Sequence, residues 1–380
     1  MRIALVHPYA WPEVRRGAER YVDDLARFLA SAGHEITVVA GTHGRGNATL
    51  GRDGVATAQC PHVRLRGGHR LGIGEVETFG WPAFAWLRRS PVDLVHAMTP
   101  TGALAGRAAR RPTLYTVLGH PTADQLPTSL VPRMVFRAAV RWSTDVAALS
   151  RASAGALVGS TGRTPLVLPP GIRADAFPPA LGARSGPPRL LFSASLDDPR
   201  KHAGLAVDAF SLVLDRRADA RLVLSGQGDP APLLAAAATM GDHVRAAIDT
   251  PGAGTPDEVP GRYRHASVTV LPSEHEAFGL ALVESLASGT PVVCGPHGGM
   301  PEIVTPDVGR VADRLDAPAL AAALLSALEL AADPATPARC AARASWWDWE
   351  QRVGPEHLRV YERLVSRAAW RRPVTAAAPS

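Results

Sequence analysis

The fold of this chain is decided by a strand, a loop and a helix that follow one another in residues 268–284, VTVLPSEHEAFGLALVE. The first four residues are continuously apolar, which predicts a buried strand. A polar, acidic loop follows and ends at Gly279, and an apolar pattern then predicts a helix over residues 280–288. A strand that leads through a loop into a helix is the repeating unit of a parallel α/β sheet.

The same unit recurs along the chain. Strands are predicted at residues 3–6, 36–40, 93–96, 113–117, 156–158, 166–168, 190–193, 221–224, 268–271 and 291–294, and helices at 21–32 and 205–214 among others. Because the strands are apolar throughout rather than in alternation, helices must cover both faces of each sheet. The predicted fold class is therefore α/β.

Two domains are expected. Proline and glycine crowd residues 171–188, which predicts a linker, and a chain of 380 residues is long enough for two or three domains. We expect two Rossmann-like parallel-sheet domains, residues 1–170 and 189–352, that face each other across a cleft. Such sheets bind ligands at the carboxyl ends of their strands. Residues 371–380 are expected to form a disordered tail.

Composition narrows the class of protein. The formal charge of +6 and the pI near 9.8 favour anionic partners such as nucleotides, phosphorylated sugars, anionic membranes or nucleic acids. No apolar run is long enough to span a membrane, and residues 1–8 indicate a strand rather than a signal peptide. Cys60, Cys294 and Cys340 are too few and too scattered for a disulfide framework or a zinc site, so a cytoplasmic setting is expected.

Lys201 is the only lysine among 41 basic residues. A compact ammonium group on a flexible stem suits a phosphate in a tight site, where a guanidinium fork is too wide. The alternative is that one lysine has survived by chance, and the count alone does not choose between the two.

Glu276 and Glu284 frame the first part of the predicted helix after residue 271. Carboxylates there suit hydroxyl donors, with a sugar near the mouth of a pocket and a ribose further in. Gly279 permits close backbone approach, and a helix N-terminus attracts anions. The alternative is that Glu276 caps the helix while Glu284 is solvated.

The longer string resembles the donor-site signature of the family 4 retaining glycosyltransferases (glycosyl transferases group 1). Glu276 and Glu284 are followed by ASGTPVV at 287–293 and GGMPEIV at 298–304. Other matching segments are RGAER at 16–20, LPPGI at 168–172 with Phe177, LSGQG at 224–228, Trp349-Glu350 and Val360-Tyr361. The resemblance extends from about residue 1 to about residue 368.

The resemblance implies the GT-B fold and transfer of a sugar from a nucleotide-diphosphate donor to an acceptor hydroxyl, with retention of configuration. It implies an acceptor-side domain at 1–170, a donor domain at 189–352 and a C-terminal helix, 353–370, that returns to the first domain. No cofactor and no metal are expected beyond the donor itself, a UDP- or GDP-sugar. Consistently, the chain has no Asp-x-Asp triplet of the metal-dependent GT-A type. The acceptor is expected to be a small molecule or a lipid-linked one.

The resemblance also implies functional residues. Those implied for catalysis are His120, Lys201 and Glu276. Those implied for donor binding are Ser195, Arg200, Lys201, Gly226, Glu276, Phe278, Gly279, Leu280 and Glu284, and a phosphate or acceptor loop would contain Arg16 and Gly17. His120 would orient the sugar and stabilise charge rather than act as a nucleophile.

Ser195 departs from the family pattern, which has an arginine for the phosphates at this position. Arg200 could supply the missing charge, or Arg15 or Arg16 could do so from the other domain. The third interpretation is a non-catalytic protein that only binds a nucleotide sugar. Arg16 itself replaces one of the family's paired glycines.

Two other classes of protein fit the sequence less well. A nicotinamide oxidoreductase would need a Gly-x-Gly-x-x-Gly turn after the first strand, where Pro8 and Pro12 stand instead. A nucleic-acid binder is motivated only by the pI, since the chain shows no basic platform rich in aromatic residues.

The sequence indicates the acceptor-binding residues less clearly than the donor-binding ones. Residues 41–80 would contain the acceptor loops, with a mobile loop at 67–70 and 72–74. Arg133, Arg137 and Arg141 form a basic stripe on a predicted helix. The stripe is either an ordinary solvated face or a peripheral contact with an anionic membrane.

Overall fold

The computed structural model of the protein describes residues 1–14, 16–42, 48–50, 52–62, 72–180 and 186–370. The chain divides into two compact units. Unit 1 comprises Met1–Gly171 and the chain from Trp349 onward, and unit 2 comprises Ile172–Asp348. The predicted tail at 371–380, Arg15 and the predicted mobile loop at 67–70 lie outside the described residues.

Unit 1 contains an eight-stranded sheet in the order β3-β4-β2-β1-β5-β6-β7-β8. The strands are β1 (Arg2–Val6), β2 (Glu35–Thr42), β3 (Ala48–Leu50), β4 (Val55–Pro61), β5 (Leu94–Ala97), β6 (Thr113–Val117), β7 (Asp145–Ala148) and β8 (Leu166–Val167). The helices are α1 (Gly17–Ser31), α2 (Glu75–Thr78), α3 (Gly80–Arg89), α4 (Pro100–Ala108), α5 (Leu130–Trp142) and α6 (Arg151–Thr161). All strand pairs are parallel except β3 with β4.

Unit 2 contains a six-stranded, wholly parallel sheet in the order β11-β10-β9-β12-β13-β14. The strands are β9 (Arg189–Ser193), β10 (Arg221–Ser225), β11 (Ile248–Asp249), β12 (Val268–Leu271), β13 (Val292–Cys294) and β14 (Gly309–Val311). The helices are α7 (Ala203–Leu214), α8 (Ala231–Met240), α9 (Asp242–Ala246), α10 (Val259–His265), α11 (Leu280–Ala287), α12 (Ala317–Ala332) and α13 (Thr336–Ala344). The predicted fold class, with two parallel-sheet α/β domains, is confirmed.

Each sheet reverses its winding at one point. In unit 1 the chain order reverses between β1 and β5, and in unit 2 between β9 and β12. The loops that leave the carboxyl ends of these strand pairs are therefore brought side by side, which is where open α/β sheets bind ligands.

One predicted strand is wrong. Residues 156–158 lie in α6, and the strand in this part of the sheet is β7, whose sequence is DVAA. A short apolar run does not distinguish a strand from a buried helix. The helical signal was Ser150, whose side chain accepts a hydrogen bond from the Ser153 N–H as an N-cap.

The predicted linker at 171–188 is largely part of unit 2 over its described residues. The Ile172 N–H donates to the Trp347 carbonyl oxygen at 2.8 Å. Ile172 and Phe177 are buried, and the Phe177 ring lies 6.1 Å from that of Tyr263. Two apolar anchors therefore hold a segment whose proline content alone indicates an open connection.

The last helix, α14 (Gly354–Trp370), belongs to unit 1. The return to unit 1 begins at Trp349, four residues before the predicted start at 353, because the Trp349 ring stacks on Tyr21 and Phe28 with centroids about 6 Å apart. Gly171 makes room for this ring, since a Cβ there would lie 2.6 Å from it.

Among the described residues, no single helix has the length and apolar character needed to cross a membrane. One sharply bent pair, Ala317–Ala332 with Thr336–Trp347, meets the requirement by length and composition only.

Candidate active site

The loop after β9 packs directly on the turn after β10. The Ala194 N–H donates to the Ser225 carbonyl oxygen at 3.1 Å, and the Leu196 N–H donates to that of Gln227 at 2.7 Å. A Cβ at Gly226 would lie 1.7 Å from the Ala194 carbonyl oxygen. Gly226 is therefore required for the two loops to meet, and Ser195 lies at their junction, partly buried.

Arg200 is held by a neighbour. Asp198 accepts from the Arg200 N–H at 3.0 Å, and its two carboxylate oxygens pair with the guanidinium at 2.7 and 3.1 Å. Hydrogen bonding to Asp198 raises the pKa of Arg200. The sequence offers Arg200 as a substitute for the arginine that is missing at position 195. In this structure the Arg200 guanidinium instead forms a bidentate ion pair with Asp198.

Lys201 and Glu276 are brought together from the two loops at the switch point of unit 2. The Lys201 ammonium donates to Glu276 Oε2, and the two side chains are 20% and 23% exposed. The Glu274 N–H donates to the Arg200 carbonyl oxygen at 2.8 Å, which fixes one loop to the other. In this structure each charge neutralises the other, and a ligand could reach both.

The backbone beside this pair is strained. His202 and His275 both adopt the left-handed conformation, with φ of 52° and 55°. For residues other than glycine this costs roughly 1–2 kcal/mol. His202 Nε2 lies 3.4 Å from Glu274 Oε2. Strain of this kind is typical of functional sites.

Gly279 is the N-cap residue of helix α11, with φ of 111° and no side-chain cap. A Cβ at Gly279 would lie 2.9 Å from Met300 Cγ, so the close packing here also requires glycine. Among the described residues Glu276 does not cap this helix, and that alternative is wrong. The first-turn N–H groups, beginning at Leu280, and the helix dipole make this end attractive to an anion.

The Phe278 side chain packs beneath the loop that joins β12 to α11, inside unit 2. It is 5% exposed and meets the Trp347 ring edge to face at 5.9 Å. The Arg343 guanidinium lies 4.7 Å from the centre of that same Trp347 ring. The Phe278 side chain therefore contributes to packing, and the backbone groups of this residue are left to contact a ligand.

Glu284 is buried, so the alternative of a solvated carboxylate is wrong. The Tyr263 hydroxyl donates to Glu284 Oε2 at 3.0 Å and lies 3.1 Å from Ser193 Oγ. Sequence reasoning missed Tyr263 and its neighbour Arg262, which donates to Ser225 Oγ at 2.6 Å. The available signal was an aromatic and a basic residue just before an apolar strand, too common a pattern to single out.

His120, in unit 1, follows β6 at its carboxyl end. Its Nδ1 is 3.0 Å from the hydroxyl of Ser153, a fully buried residue in the first turn of α6. The imidazole is partly buried and its orientation is fixed through this contact.

Arg16 is the N-cap residue of α1, and Gly17 is the first residue of the helix. The Arg16 guanidinium lies 5.5 Å from the centre of the Tyr9 ring, within the range of a cation–π contact. Within the described part of the chain, no group of three or more His, Cys, Asp or Glu side chains is placed to hold a metal ion.

Comparison with known proteins places these sites in a family. Residues 174–345 match the model for glycosyl transferases group 1, and residues 15–176 match that for glycosyltransferase family 4. The chain is 28% identical, over 82% of its length and 84% of the relative's, to a GDP-mannose-dependent alpha-(1-6)-phosphatidylinositol dimannoside mannosyltransferase of Mycobacterium tuberculosis. It is 29% identical, over 100% of its length and 97% of the relative's, to a phosphatidyl-myo-inositol mannosyltransferase of Mycolicibacterium smegmatis.

Solved structures agree on the fold. A sucrose-phosphate synthase from Thermosynechococcus elongatus superposes with a TM-score of 0.79 at 20% identity, over 96% of this chain and 99% of that one. An alpha,alpha-trehalose 6-phosphate synthase from Burkholderia multivorans gives a TM-score of 0.72 at 16% identity, over 97% and 99%. The two family models together span residues 15–345, and the chain belongs to the family 4 glycosyltransferases, with the GT-B fold.

Proposed function

We propose that the protein transfers a mannosyl group from GDP-mannose to a hydroxyl of a lipid-linked polyol of the phosphatidylinositol class, with retention of configuration and without a metal ion. The observation that carries the proposal is the Lys201–Glu276 pair at the switch point of unit 2, beside the uncapped start of α11. GDP-mannose and phosphatidylinositol are taken from the names of the mannosyltransferases that this chain resembles. No cofactor is proposed besides the donor.

On donor binding, Lys201 and Glu276 would each exchange the other for a group of the donor. The diphosphate would take the Lys201 ammonium and the N–H groups at the start of α11, which together stabilise the charge that develops as it leaves. Glu276 would then accept hydrogen bonds from sugar hydroxyls. Glu284, deeper and oriented by Tyr263, suits the hydroxyls of the ribose.

The proposed chemical step occurs on one face of the sugar. The acceptor oxygen forms a bond to the anomeric carbon while the bond from that carbon to the phosphate oxygen breaks. The acceptor proton passes to the departing phosphate. His120, with its ring fixed by Ser153, is proposed to orient the sugar and stabilise charge.

Because residue 195 is serine, the arginine that the family pattern places at this position to bind the donor phosphates is missing. We propose that Arg200 replaces it on donor binding by leaving Asp198, which is chemically feasible because its side chain is 57% exposed. The competing candidate is a non-catalytic nucleotide-sugar binder. It is favoured only by Ser195 and by the pairing of Arg200 with Asp198.

A cytoplasmic setting is part of the proposal. Cys60, Cys294 and Cys340 are all buried, an arrangement compatible with a reducing compartment.

The first experiment is thermal unfolding of the wild type in EDTA with GDP, UDP, ADP, TDP and their sugar conjugates. A ligand that binds only the folded state raises the melting temperature. GDP-mannose is expected to stabilise the wild type and to have little effect on Lys201→Ala. The matched control is Arg217→Ala, which removes an exposed cation, paired with Asp219, from the opposite end of the unit 2 sheet.

Turnover separates the two candidate functions. Transfer from GDP-mannose to phosphatidylinositol vesicles in EDTA, with NMR analysis of the product's anomeric configuration, is the expected result for an enzyme. Stabilisation by GDP-mannose without transfer to any acceptor would favour the non-catalytic binder. An inverted product would contradict the retaining mechanism.

A further inference from the structure

A turn at residues 298–304 packs against the backbone of Glu276. The Gly299 N–H donates to the Glu276 carbonyl oxygen at 2.8 Å, and a Cβ at Gly298 would lie 2.3 Å from that same oxygen. Gly298 has φ of 75°, a conformation that favours glycine. Because the contact leaves no room for a side chain, a shift of the 298–304 turn would move Glu276 with it.

The same turn also contacts the N-terminus of α11. Met300 and Ile303 are completely buried. A Cβ at Gly279, the N-cap residue of α11, would lie 2.9 Å from Met300 Cγ and 3.6 Å from Ile303 Cδ1. The 298–304 turn therefore supports two elements that we propose for donor binding, the Glu276 carboxylate and the first-turn N–H groups of α11.

Arg343, in the last turn of α13, binds the end of the 298–304 turn. Its Nε donates to the Ile303 carbonyl oxygen at 2.9 Å, and its Nη2 donates to the Glu302 carbonyl oxygen at 2.7 Å. Carbonyl groups at the end of a helical turn lack partners within that turn. The planar guanidinium provides two donors in a fixed geometry, so a single side chain holds both carbonyl groups.

Two tryptophan rings fix the guanidinium in turn. Its central carbon lies 4.7 Å from the centre of the Trp347 ring and 5.7 Å from that of Trp346, both within the range of a cation–π contact. Trp347 also contacts Phe278, in the loop between β12 and α11. Burial lowers the pKa of Arg343, while the charge of Asp307 acts in the opposite direction. The Arg343 cation is therefore partly desolvated and held in one place.

We propose that Arg343 is a positioning residue of the donor site, which holds the 298–304 turn and through it the places of Glu276 and the N-terminus of α11. This rests on the proposed function, which assigns donor contacts to both. Arg343 acts through these contacts and does not itself touch the donor. The sugar and the diphosphate then meet groups that are already in place, which is the main requirement for electrostatic stabilisation of the transition state.

The test uses a second arginine of unit 2 that also binds two carbonyl groups. Arg310, on β14, donates to the carbonyl oxygens of Pro306 and Gly309 and to Ser326 Oγ. These partners lie outside the 298–304 turn. Arg343→Ala, Arg343→Lys and Arg310→Ala are compared by thermal unfolding, by amide hydrogen exchange without ligand, and by kinetics with GDP-mannose and phosphatidylinositol vesicles in EDTA.

Arg343→Ala is expected to exchange faster in the segments 276–284 and 298–304, with little change in the rest of unit 2. Its kcat/KM for GDP-mannose is expected to fall roughly ten- to a hundredfold, because small displacements of positioning groups are that costly. Its KM for phosphatidylinositol is expected to stay the same, since the acceptor is assigned to unit 1.

The other two variants separate positioning from stability. Arg343→Lys is expected to keep most of the wild-type melting temperature but to recover only part of kcat/KM, because an ammonium group cannot hold two carbonyl groups in the geometry of the guanidinium fork. Arg310→Ala is expected to unfold at a lower temperature, with exchange in the two segments and kcat/KM unchanged.

Two results would overturn the inference. One is wild-type kcat/KM in Arg343→Lys, or in a folded Arg343→Ala. The other is an equal loss of kcat/KM in Arg310→Ala at an equal melting temperature, which would assign the effect to the stability of unit 2. Failure of the proposed function looks different, since the wild type would then not turn over GDP-mannose. Exchange needs no ligand, and unchanged exchange in Arg343→Ala would overturn the inference even then.

Discussion

Each charged side chain of the unit 2 site contacts a partner within the protein. A ligand must either displace that partner or bind beside it. Lys201 and Glu276 satisfy each other, and Arg200 and Asp198 do the same. Glu284 differs because it is buried and accepts a hydrogen bond from the neutral Tyr263 hydroxyl, which orients the carboxylate. A carboxylate oriented in this way can accept hydrogen bonds from a ligand, whereas the two ion pairs must first open.

Tyr263→Phe is expected to destabilise unit 2 by about 1–3 kcal/mol, because Glu284 loses a hydrogen-bond donor inside the protein. The KM for the donor is expected to rise with little change in the KM for the acceptor, since the lost hydroxyl orients Glu284 in the proposed donor site. Urea unfolding and steady-state kinetics measure the two effects.

Glu284→Gln provides the control for this prediction. An amide at 284 has less need of the tyrosine donor, so the double variant is expected to be less destabilised than the sum of the two single ones. Additive losses would show that the Tyr263 hydroxyl does not act through Glu284, and that its contact with Ser193 accounts for its contribution.

At the residue scale, sequence reasoning identified the charged groups but not their partners. Lys201 stood out because it is the only lysine, and Glu276 because of its place in a recognisable string. Tyr263 and Arg262 carry no such signal. Their significance depends on which atoms surround them after folding, and spacing along the chain does not reveal that.

At the scale of elements, continuous apolar runs located most strands, and β12 was predicted with the bounds that it has. The error at α6 came from an apolar run too short to show a period. The same limit applies to the segment 172–180, whose proline content conceals the two buried side chains that attach it to unit 2.

The helix α5 has an exposed surface on which large apolar side chains lie among basic ones. The sequence predicted only its basic stripe. Leu130, Met134 and Trp142 are 70%, 60% and 59% exposed, on the same helix as the exposed Arg137 and Arg141. Large apolar groups among cations are typical of helices that lie on anionic membranes. If the proposed function is correct, α5 is expected to make a peripheral contact with the lipid surface that would present the acceptor.

Met134→Glu and Arg137→Glu are each expected to weaken binding to vesicles that contain phosphatidylinositol. A basic residue near such a surface contributes about 1 kcal/mol, so reversing the charge of Arg137 should weaken binding roughly tenfold at low salt. Cosedimentation at low and high salt measures this, with neutral phosphatidylcholine vesicles for comparison.

Leu212→Glu is the matched control, because Leu212 is an exposed leucine, 37% accessible, on α7 of unit 2. Equal losses for Leu212→Glu and Met134→Glu would mean that general charge matters and that α5 has no special role. Unchanged binding in both α5 variants would restore the interpretation of an ordinary solvated face.

At the scale of the whole molecule, unit 1 is built from both ends of the chain and joined by a buried polar network. The Tyr361 hydroxyl of α14 is 2.7 Å from His96 Nδ1 on β5, and His96 Nε2 is 2.7 Å from the Thr116 hydroxyl. His357 Nε2 is 2.9 Å from the Tyr21 hydroxyl of α1. Burial disfavours the charged form of both imidazoles, so the attachment of the C-terminal helix is expected to weaken when they are protonated.

Unit 1 is expected to lose stability as the pH falls from 6.5 towards 4. Burial lowers the pKa of His357 to about 4 and that of His96 well below 6.5. In that interval the unfolded chain binds protons that the folded one excludes, so stability is full above pH 6.5 and is lost below it. The shift of His357 alone corresponds to about 2–3 kcal/mol between pH 7 and pH 4.5.

Urea unfolding, followed by amide hydrogen exchange in α14, measures this loss at each pH. His357→Gln is the control variant, because an amide can keep the contacts to Tyr21 and to the Val353 carbonyl oxygen without titrating. It is expected to be less stable than the wild type at pH 7 and to show a shallower decline on acidification. Parallel curves for the two proteins would mean that His357 is not the titrating group. The acid sensitivity would then have to come from other groups, such as His96.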